Sequence, residues 1–497
     1  MEQLNYAVLE KQGFAGYLLR EAPERILQFG EGNFLRAFVD YFIDVANEKC
    51  GFDSKVAVVQ PIARGLAETL NRQQGLYTLY LRGVEGGRAI SEKRVVSCIG
   101  RALDPYSDPE SVLRCAENPH LRYVVSNTTE AGIVFDESCA FTDAPPAAFP
   151  AKLTQFLYRR FRTVGVGYGL VILSCELIDR NGDELKKCVH RYIDLWGMEE
   201  RFARWVDEEN LFCNTLVDRI VTGYPAAEAD TLNAENGCED QLLDTGEIFG
   251  LWVIEGPESL ARELPFARAD LPVRVVEDHT PYKQRKVRIL NGAHTGMVAA
   301  AYLSGKNTVR DCMEDEDIRS FMETAVFREI IPTLSLPEPE LRAFAASVTE
   351  RFQNPFLDHS LLAIALNSTS KWRARVLPSV REYVKRTGAL APNLTFSFAA
   401  YLAFYRGIRM TDAGMAALRD GEEYIVKDDR WVLELFLRHK DSPAAQLVDV
   451  VCADERMWGE DLREIPGFAA KVAEYLEAIE ESGMRSALMR QAEGGMT

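Results

Sequence analysis

Four short apolar runs constrain this chain more than any other feature: "RILQF" (25–29), "KVAVVQ" (55–60), "RYVVSN" (122–127) and "GLVILSCEL" (169–177). Each is almost unbroken, without the in-out alternation of a strand that keeps one face in water. Such runs suit a parallel sheet covered on both sides. Between them lie helical patterns such as "NFLRAFVDYFIDVANEK" (33–49), apolar at Phe34, Ala37, Phe38, Tyr41 and Phe42. Strand and helix in alternation predict an α/β domain with a doubly wound sheet.

The character changes after residue 280. Long helical patterns dominate, in "DEDIRSFMETAVFREIIPTL" (315–334), "NLTFSFAAYLAFYRGI" (393–408) and "GFAAKVAEYLEAIEESGMRSALMRQ" (467–491). With 497 residues the chain exceeds one ordinary core, and two domains are expected. The division falls at 1–278 for the sheet domain and 279–497 for a mostly α-helical one. The acidic stretch 225–241 reads as an exposed excursion from the first domain. The apolar run 394–405 is too short to cross a bilayer, which takes about 20 residues, and reads as a buried helix.

A net charge of −18 argues against nucleic acid and against anionic membrane surfaces, because both are bound through Lys and Arg. The N-terminus has no basic segment followed by an apolar run, so a cytoplasmic protein is expected. The ten cysteines stand singly, with no C-x-x-C pair. Free thiols in a reducing compartment and no metal site are the expectation.

The first apolar run leads directly into "GEGNFLRAF", with Gly30 and Gly32 ahead of a helix. A glycine turn between strand and helix lets backbone approach a pyrophosphate, and the helix start supplies N–H groups. This first domain therefore reads as Rossmann-like and dinucleotide-binding. The third glycine of the G-x-G-x-x-G pattern is replaced by Leu35. At the end of the second run, where an acid usually grips the ribose of NAD, stand Gln60 and Pro61. Asp53 lies at the wrong end of that strand, and Arg64 follows it in the loop. These residues favour NAD over NADP only weakly.

A second constellation lies in "RKVRILNGAHTG" (285–296). At about 100° per residue, Lys286, His294 and Asn291 fall within an arc of about 140° that they share with Leu290, Met297 and Val287. Arg285 and Arg288 point to the opposite side. The polar trio is thus expected on the buried face, where a lysine loses part of its preference for the charged form, as a general base requires.

The spacing K-x-x-x-x-N-x-x-H resembles the signature of the polyol-specific long-chain dehydrogenases, the mannitol dehydrogenase family. "FGEGNFLRAF", "QGLYTL", "NTTEAGI", "SCELIDRNG", "LVDRIVTGYP" and "RFQNP" agree with it, in the family's order and over most of the chain. The resemblance implies an NAD-dependent oxidoreductase that needs no metal. It implies Lys286 as general base, Asn291 and Asn181 as hydrogen-bond donors to the reacting oxygen, and His294 as the group that orients a substrate hydroxyl. Gly30 and Gly32, with Asn33, Phe34 and Glu130, would carry the dinucleotide. Asp218 would line the substrate side.

Two departures qualify the match. Mannitol-type members have "CDN" where this chain has Cys175, Glu176 and Leu177, which moves the expected oxyanion asparagine to Asn181. They also carry an arginine eight residues before the lysine matched by Lys371, and here that position is Ala363. A sugar acid is therefore expected as the small-molecule substrate, with Lys371, Arg373 and Arg375 as candidate partners for its carboxylate. The protein would work as a monomer or small homo-oligomer. The competing class, a dinucleotide sensor without catalysis, has no use for a retained Lys286.

Overall fold

A computed structural model of the chain describes residues 1–128 and 132–494. It divides into two compact units, Met1–Gly83 with Ile90–His279, and Val84–Ala89 with Thr280–Thr497.

The first unit is built on six parallel strands: β1 (Glu24–Phe29), β2 (Lys55–Val59), β3 (Ile99–Leu103), β4 (Tyr123–Ser126), β5 (Val171–Ser174) and β6 (Leu211–Cys213). Their spatial order is β3-β2-β1-β4-β5-β6. All five pairings are parallel, with Phe29 opposite Val59 on one side and Ser126 on the other. The four apolar runs are β1, β2, β4 and β5. Both faces of this sheet are buried, one under Phe38, Phe42, Tyr77 and Trp252 and the other under Phe149, Phe156, Phe202 and Trp205. That double burial is why the runs carry no polar alternation. The strand order reverses between β1 and β4, which opens a crevice at the carboxyl ends of those strands.

Two smaller sheets complete the unit, one of four strands and one in which Leu251–Glu255 pairs with Thr215–Asp218 and Val273–Val276. The stretch read as an exposed excursion is exposed at 226–228, 230, 231, 234 and 235, and it is tied down along its inner side. It forms a helix, Ala229–Asn236, with Leu232 and Asn233 buried. Asp240 behind it accepts from Thr78 N at 2.6 Å and Gln73 Nε2 at 2.8 Å. All ten cysteines are unpaired, nine of them buried.

The second unit is mainly helical, and the helix Pro392–Phe404 is buried along nearly its whole length. The sequence reading carried that helix on to residue 408, but it ends at Phe404 and an antiparallel meander follows, Gly407–Thr411, Gly414–Arg419 and Glu422–Val426. No helix among the described residues is long and apolar enough to cross a membrane.

Candidate active site

In the first unit the turn after β1 is shaped by Gly30, whose φ of +123° lies outside the range of other residues. A Cβ there would stand 3.0 Å from both Asn127 O and Leu35 Cδ1. Leu35 thus occupies the third glycine position because its buried side chain packs under the turn. At Gly32 an added Cβ meets nothing within 4 Å, and Gly32 and Asn33 are exposed. Asn33–Leu35, a π-helical stretch Arg36–Asp40 and Tyr41–Cys50 follow as one continuous rod, and no side chain caps its start at Gly32. The open glycine and the uncapped N–H groups fit a dinucleotide pyrophosphate. Phe34 stacks on Phe38 at 5.1 Å and is half-buried.

Arg36 locks this turn from beneath. Its guanidinium donates to Glu31 O at 3.2 Å, Asn33 Oδ1 at 2.6 Å and Leu242 O at 2.5 Å. Asp244 lies 3.8 Å from it. Glu130 lies outside the described residues.

Asn181 takes a different part from the one expected. Its side chain is buried, and Nδ2 donates to Ser174 O at 2.9 Å, Glu176 O at 2.9 Å and Thr215 O at 3.1 Å. Oδ1 accepts from Gly182 N and Thr215 N, both at 2.9 Å. An amide with two hydrogens and three backbone acceptors has none left for a reacting oxygen. Asn181 ties the end of β5 to the strand Thr215–Asp218. Glu176 does similar work, accepting from Ser126 Oγ and from Thr128 N and Oγ1 at 3.0–3.1 Å. Asp218 is 3% exposed, and the adjacent Arg219 donates to Ala37 O at 2.6 Å.

Glu255, Asp278 and His279 bring three possible metal-ligating atoms within 4.8 Å of one another, a grouping that spacing along the chain did not reveal. His279 Nδ1 and Glu255 Oε2 are 2.5 Å apart, and Glu255 Oε1 accepts from Asn214 Nδ2 at 3.1 Å.

In the second unit the KVRILNGAH segment is not an ordinary α-helix. Lys286–Asn291 forms a π-helical stretch between α-helical Thr280–Arg285 and Gly292–Leu303. A π turn holds more residues than an α turn, so the 100° projection misplaces the faces. Arg285, expected outside, is 3% exposed. It pairs with Glu340 at 2.7 Å and lies over the Phe344 ring at 4.3 Å. Lys286 and Asn291 are half-buried, and of the expected trio only His294 is fully buried.

His294 lies flat on Phe352, with ring centroids 4.0 Å apart, and edge-on to His359 at 5.3 Å. Burial first, then the neighbouring His359 and the charges of Arg351, Arg375 and Lys371, hold its pKa well below the ordinary histidine value. The imidazole is therefore neutral at working pH, and its buried Nε2 has no hydrogen-bond partner among the described residues. Gly292 permits this gathering, since a Cβ there would stand 3.3 Å from Arg375 O. Arg375 Nη1 donates to Thr295 Oγ1 at 3.3 Å, and Lys371 Nζ to Ile364 O at 2.9 Å.

Lys371 and Arg375 lie one turn apart on the helix Ser368–Arg375 and share its inner side, with Trp372 buried beside them. Arg373 faces away, exposed, with its guanidinium against Gly459. It does not join the group around His294. Arg351 and His359 do, and sequence reasoning missed both. His359 lies in a loop, where no periodicity marks an inward side chain.

Residues 24–268 match the Mannitol dehydrogenase Rossmann domain and residues 278–480 the Mannitol dehydrogenase C-terminal domain. Proteins named altronate oxidoreductase from Yersinia enterocolitica, Klebsiella pneumoniae and Escherichia coli are each 46% identical to this chain over 489 residues. Each alignment covers 97% of this chain and 99% of the relative. Two solved structures share the fold. A substrate-free D-sorbitol dehydrogenase has a TM-score of 0.79 and 24% identity, covering 94% of this chain and 95% of its own. A Pseudomonas fluorescens mannitol 2-dehydrogenase, solved with NAD and D-mannitol, has a TM-score of 0.70 and 22% identity, covering 99% of each chain. The glycine turn in a six-stranded parallel sheet, the Lys286–Asn291–His294 segment and these matches agree: the chain belongs to the mannitol dehydrogenase family.

Proposed function

We propose that the protein is an NAD-dependent oxidoreductase that interconverts D-tagaturonate and D-altronate by hydride transfer. The observation that carries the choice of a sugar acid is the cationic setting of His294. Arg351, Arg375 and Lys371 act on His294 by their charge, and its buried Nε2 has no hydrogen-bond partner among the described residues. A polyol offers Lys371 and Arg375 no opposite charge, whereas an aldonate or uronate carries a carboxylate next to a row of hydroxyls. The names of the relatives support the same reading.

When bound, the nicotinamide cofactor supplies or accepts the hydride. Lys286 takes the proton from the reacting hydroxyl at Nζ during oxidation and returns it during reduction. Asn291 hydrogen-bonds the same oxygen and stabilises the charge that develops on it. His294, neutral, orients a neighbouring hydroxyl through Nε2. Lys371 and Arg375 hold the carboxylate, the arginine offering a planar pair of donors. The reading includes a cytoplasmic enzyme, monomeric or a small homo-oligomer, for which ten unpaired cysteines suit a reducing compartment.

An NADH-oxidation assay over tagaturonate, fructuronate and fructose tests the proposal. Tagaturonate should turn over fastest and fructose slowest. Fructose turnover equal to or faster than that of tagaturonate would overturn the substrate assignment.

A further inference from the structure

The end of β2, Val59 followed by Gln60 and Pro61, has no acid at the place from which NAD-binding folds usually grip the adenosine ribose. A carboxylate reaches that region from the neighbouring turn. Glu31 stands between Gly30 and Gly32 and is only 6% exposed. Its side chain turns toward the loop that follows β2, where Oε1 accepts from Leu66 N at 3.3 Å. A Cβ added to Gly65 would collide with this same Oε1 and with the Gln60 side chain. The first turn and the loop after β2 therefore meet at the Glu31 carboxylate.

The second oxygen, Oε2, is buried and has no hydrogen-bond partner among the described residues. A buried carboxylate oxygen left bare is costly unless a ligand completes it. The backbone around it is fixed, because Glu31 O accepts from Arg36 Nε at 3.2 Å. Burial raises the pKa of Glu31, and the Leu66 N–H and the Arg36 charge oppose that rise. Arg64, the one cation of the loop after β2, is exposed.

We infer that Glu31 receives the hydroxyls of the adenosine ribose and, by its charge, excludes a cofactor phosphorylated at the 2′ position. In this chain the ribose-reading carboxylate has moved from the end of β2 into the glycine turn. Two ribose hydroxyls are donors matched to an acceptor-only group. A 2′-phosphate would set its negative charge against another in a site of low dielectric.

The inference rests on the reading of the protein as an NAD-dependent enzyme, and the test separates the two. Dissociation constants for NADH and NADPH are measured by nucleotide fluorescence on the full chain, for wild type, Glu31→Gln and Glu31→Asp, with thermal melts as the folding control. Wild type should prefer NADH by at least about 100-fold, as expected of a charge clash in a buried site. Glu31→Gln keeps the shape and the Leu66 bond but removes the charge. It should weaken NADH by about 10-fold, the loss of a charge-assisted hydrogen bond, and should tighten NADPH. Glu31→Asp keeps the charge and shortens the reach, so NADH should weaken while NADPH stays excluded.

An NADH-to-NADPH ratio unchanged in both variants would overturn the inference and leave the dinucleotide reading intact. A wild-type preference for NADPH would also overturn it. Wild type that binds neither nucleotide would refute the dinucleotide reading itself.

Discussion

Two π-helical stretches carry the two halves of the candidate chemistry, and they use the same local geometry differently. Arg36–Asp40, after the glycine turn, is buried at every position. Lys286–Asn291 buries only Ile289 and Leu290, and leaves Lys286 and Asn291 half-exposed. In the first stretch the wider turn points polar groups inward, and they hold backbone. Arg36 binds the carbonyls of Glu31 and Leu242, while Tyr77 Oη donates to Arg36 O at 2.6 Å. In the second stretch the polar Lys286 and Asn291, the proposed reacting pair, stand half-exposed. A third π-helical stretch, Ala325–Ile330, holds none of the candidate residues. A π turn is therefore a means of aiming side chains, and the residues placed on it decide whether it braces or reacts.

The sharpest way to break this contrast is to empty the bracing stretch. Arg36→Met removes a cation held by three acceptors and leaves Asp244 without its 3.8 Å partner. Breaking a buried pair from one side costs about 3–5 kcal/mol. Asp244 softens this, since burial already lifts its pKa to about 7 against the pull of Arg36, so the expected loss is near the low end, about 3 kcal/mol. Urea unfolding and NADH titration read the two consequences, a lower midpoint and weaker nucleotide binding. A variant with the wild-type midpoint and wild-type NADH affinity would show that Arg36 braces nothing.

The reacting stretch should fail in the opposite manner. Lys286→Ala is expected to lower kcat by at least about 100-fold, the typical share of a general base. Its unfolding midpoint should stay within the scatter of a surface substitution, about 0.5 kcal/mol, because Lys286 is half-exposed. NADH affinity should not change. Turnover at the wild-type rate would remove Lys286 from the chemistry, and a large drop in stability would move it to the bracing class.

The sequence carried the sheet more plainly than the site. Strands β1, β2, β4 and β5 were legible because burial on both faces leaves an unbroken apolar run. The glycine turn was legible because Gly30 and Gly32 stand directly after β1. The meander 407–426 was read into the helical domain, although Asp420 and Gly421, both with positive φ, carry the Asp-Gly sign of a tight hairpin. The spacing of Lys286, Asn291 and His294 was legible, as was the burial of His294, but the half-exposure of Lys286 and Asn291 was not, because a π turn has no sequence period of its own. Asn181 shows a further limit. Its residue type allows an oxyanion donor, yet only the positions of Ser174 O, Glu176 O and Thr215 O reveal that its hydrogens are already committed. Glu31, Arg351 and His359 were missed because the direction of a side chain in a turn, or on a distant segment, leaves no trace in composition or periodicity.

The smallest expected effect belongs to Asp40, at the end of the bracing stretch. It is completely buried, its carboxyl accepts from Gln28 Nε2 at 3.2 Å, and its other carboxylate oxygen has no partner among the described residues. Burial pushes its pKa up to about 7, against the hydrogen bond from Gln28 and the charge of Arg36. A carboxyl raised in the folded state keeps its proton where the unfolded chain has lost it. Its stabilising contribution is complete below about pH 4 and is lost as pH rises through about 7. Between pH 6 and pH 8 the folded state should lose about 1.4 kcal/mol through this group. Asp40→Asn has nothing to titrate there, so the stability of the variant relative to wild type should rise by that amount over the same interval. Urea midpoints of both proteins at pH 6, 7 and 8 measure the difference directly, and cancel every other titrating group the two proteins share. A difference that stays flat with pH would mean that Asp40 is ionised in the folded protein, and that the bracing stretch holds a charge where burial calls for a neutral acid.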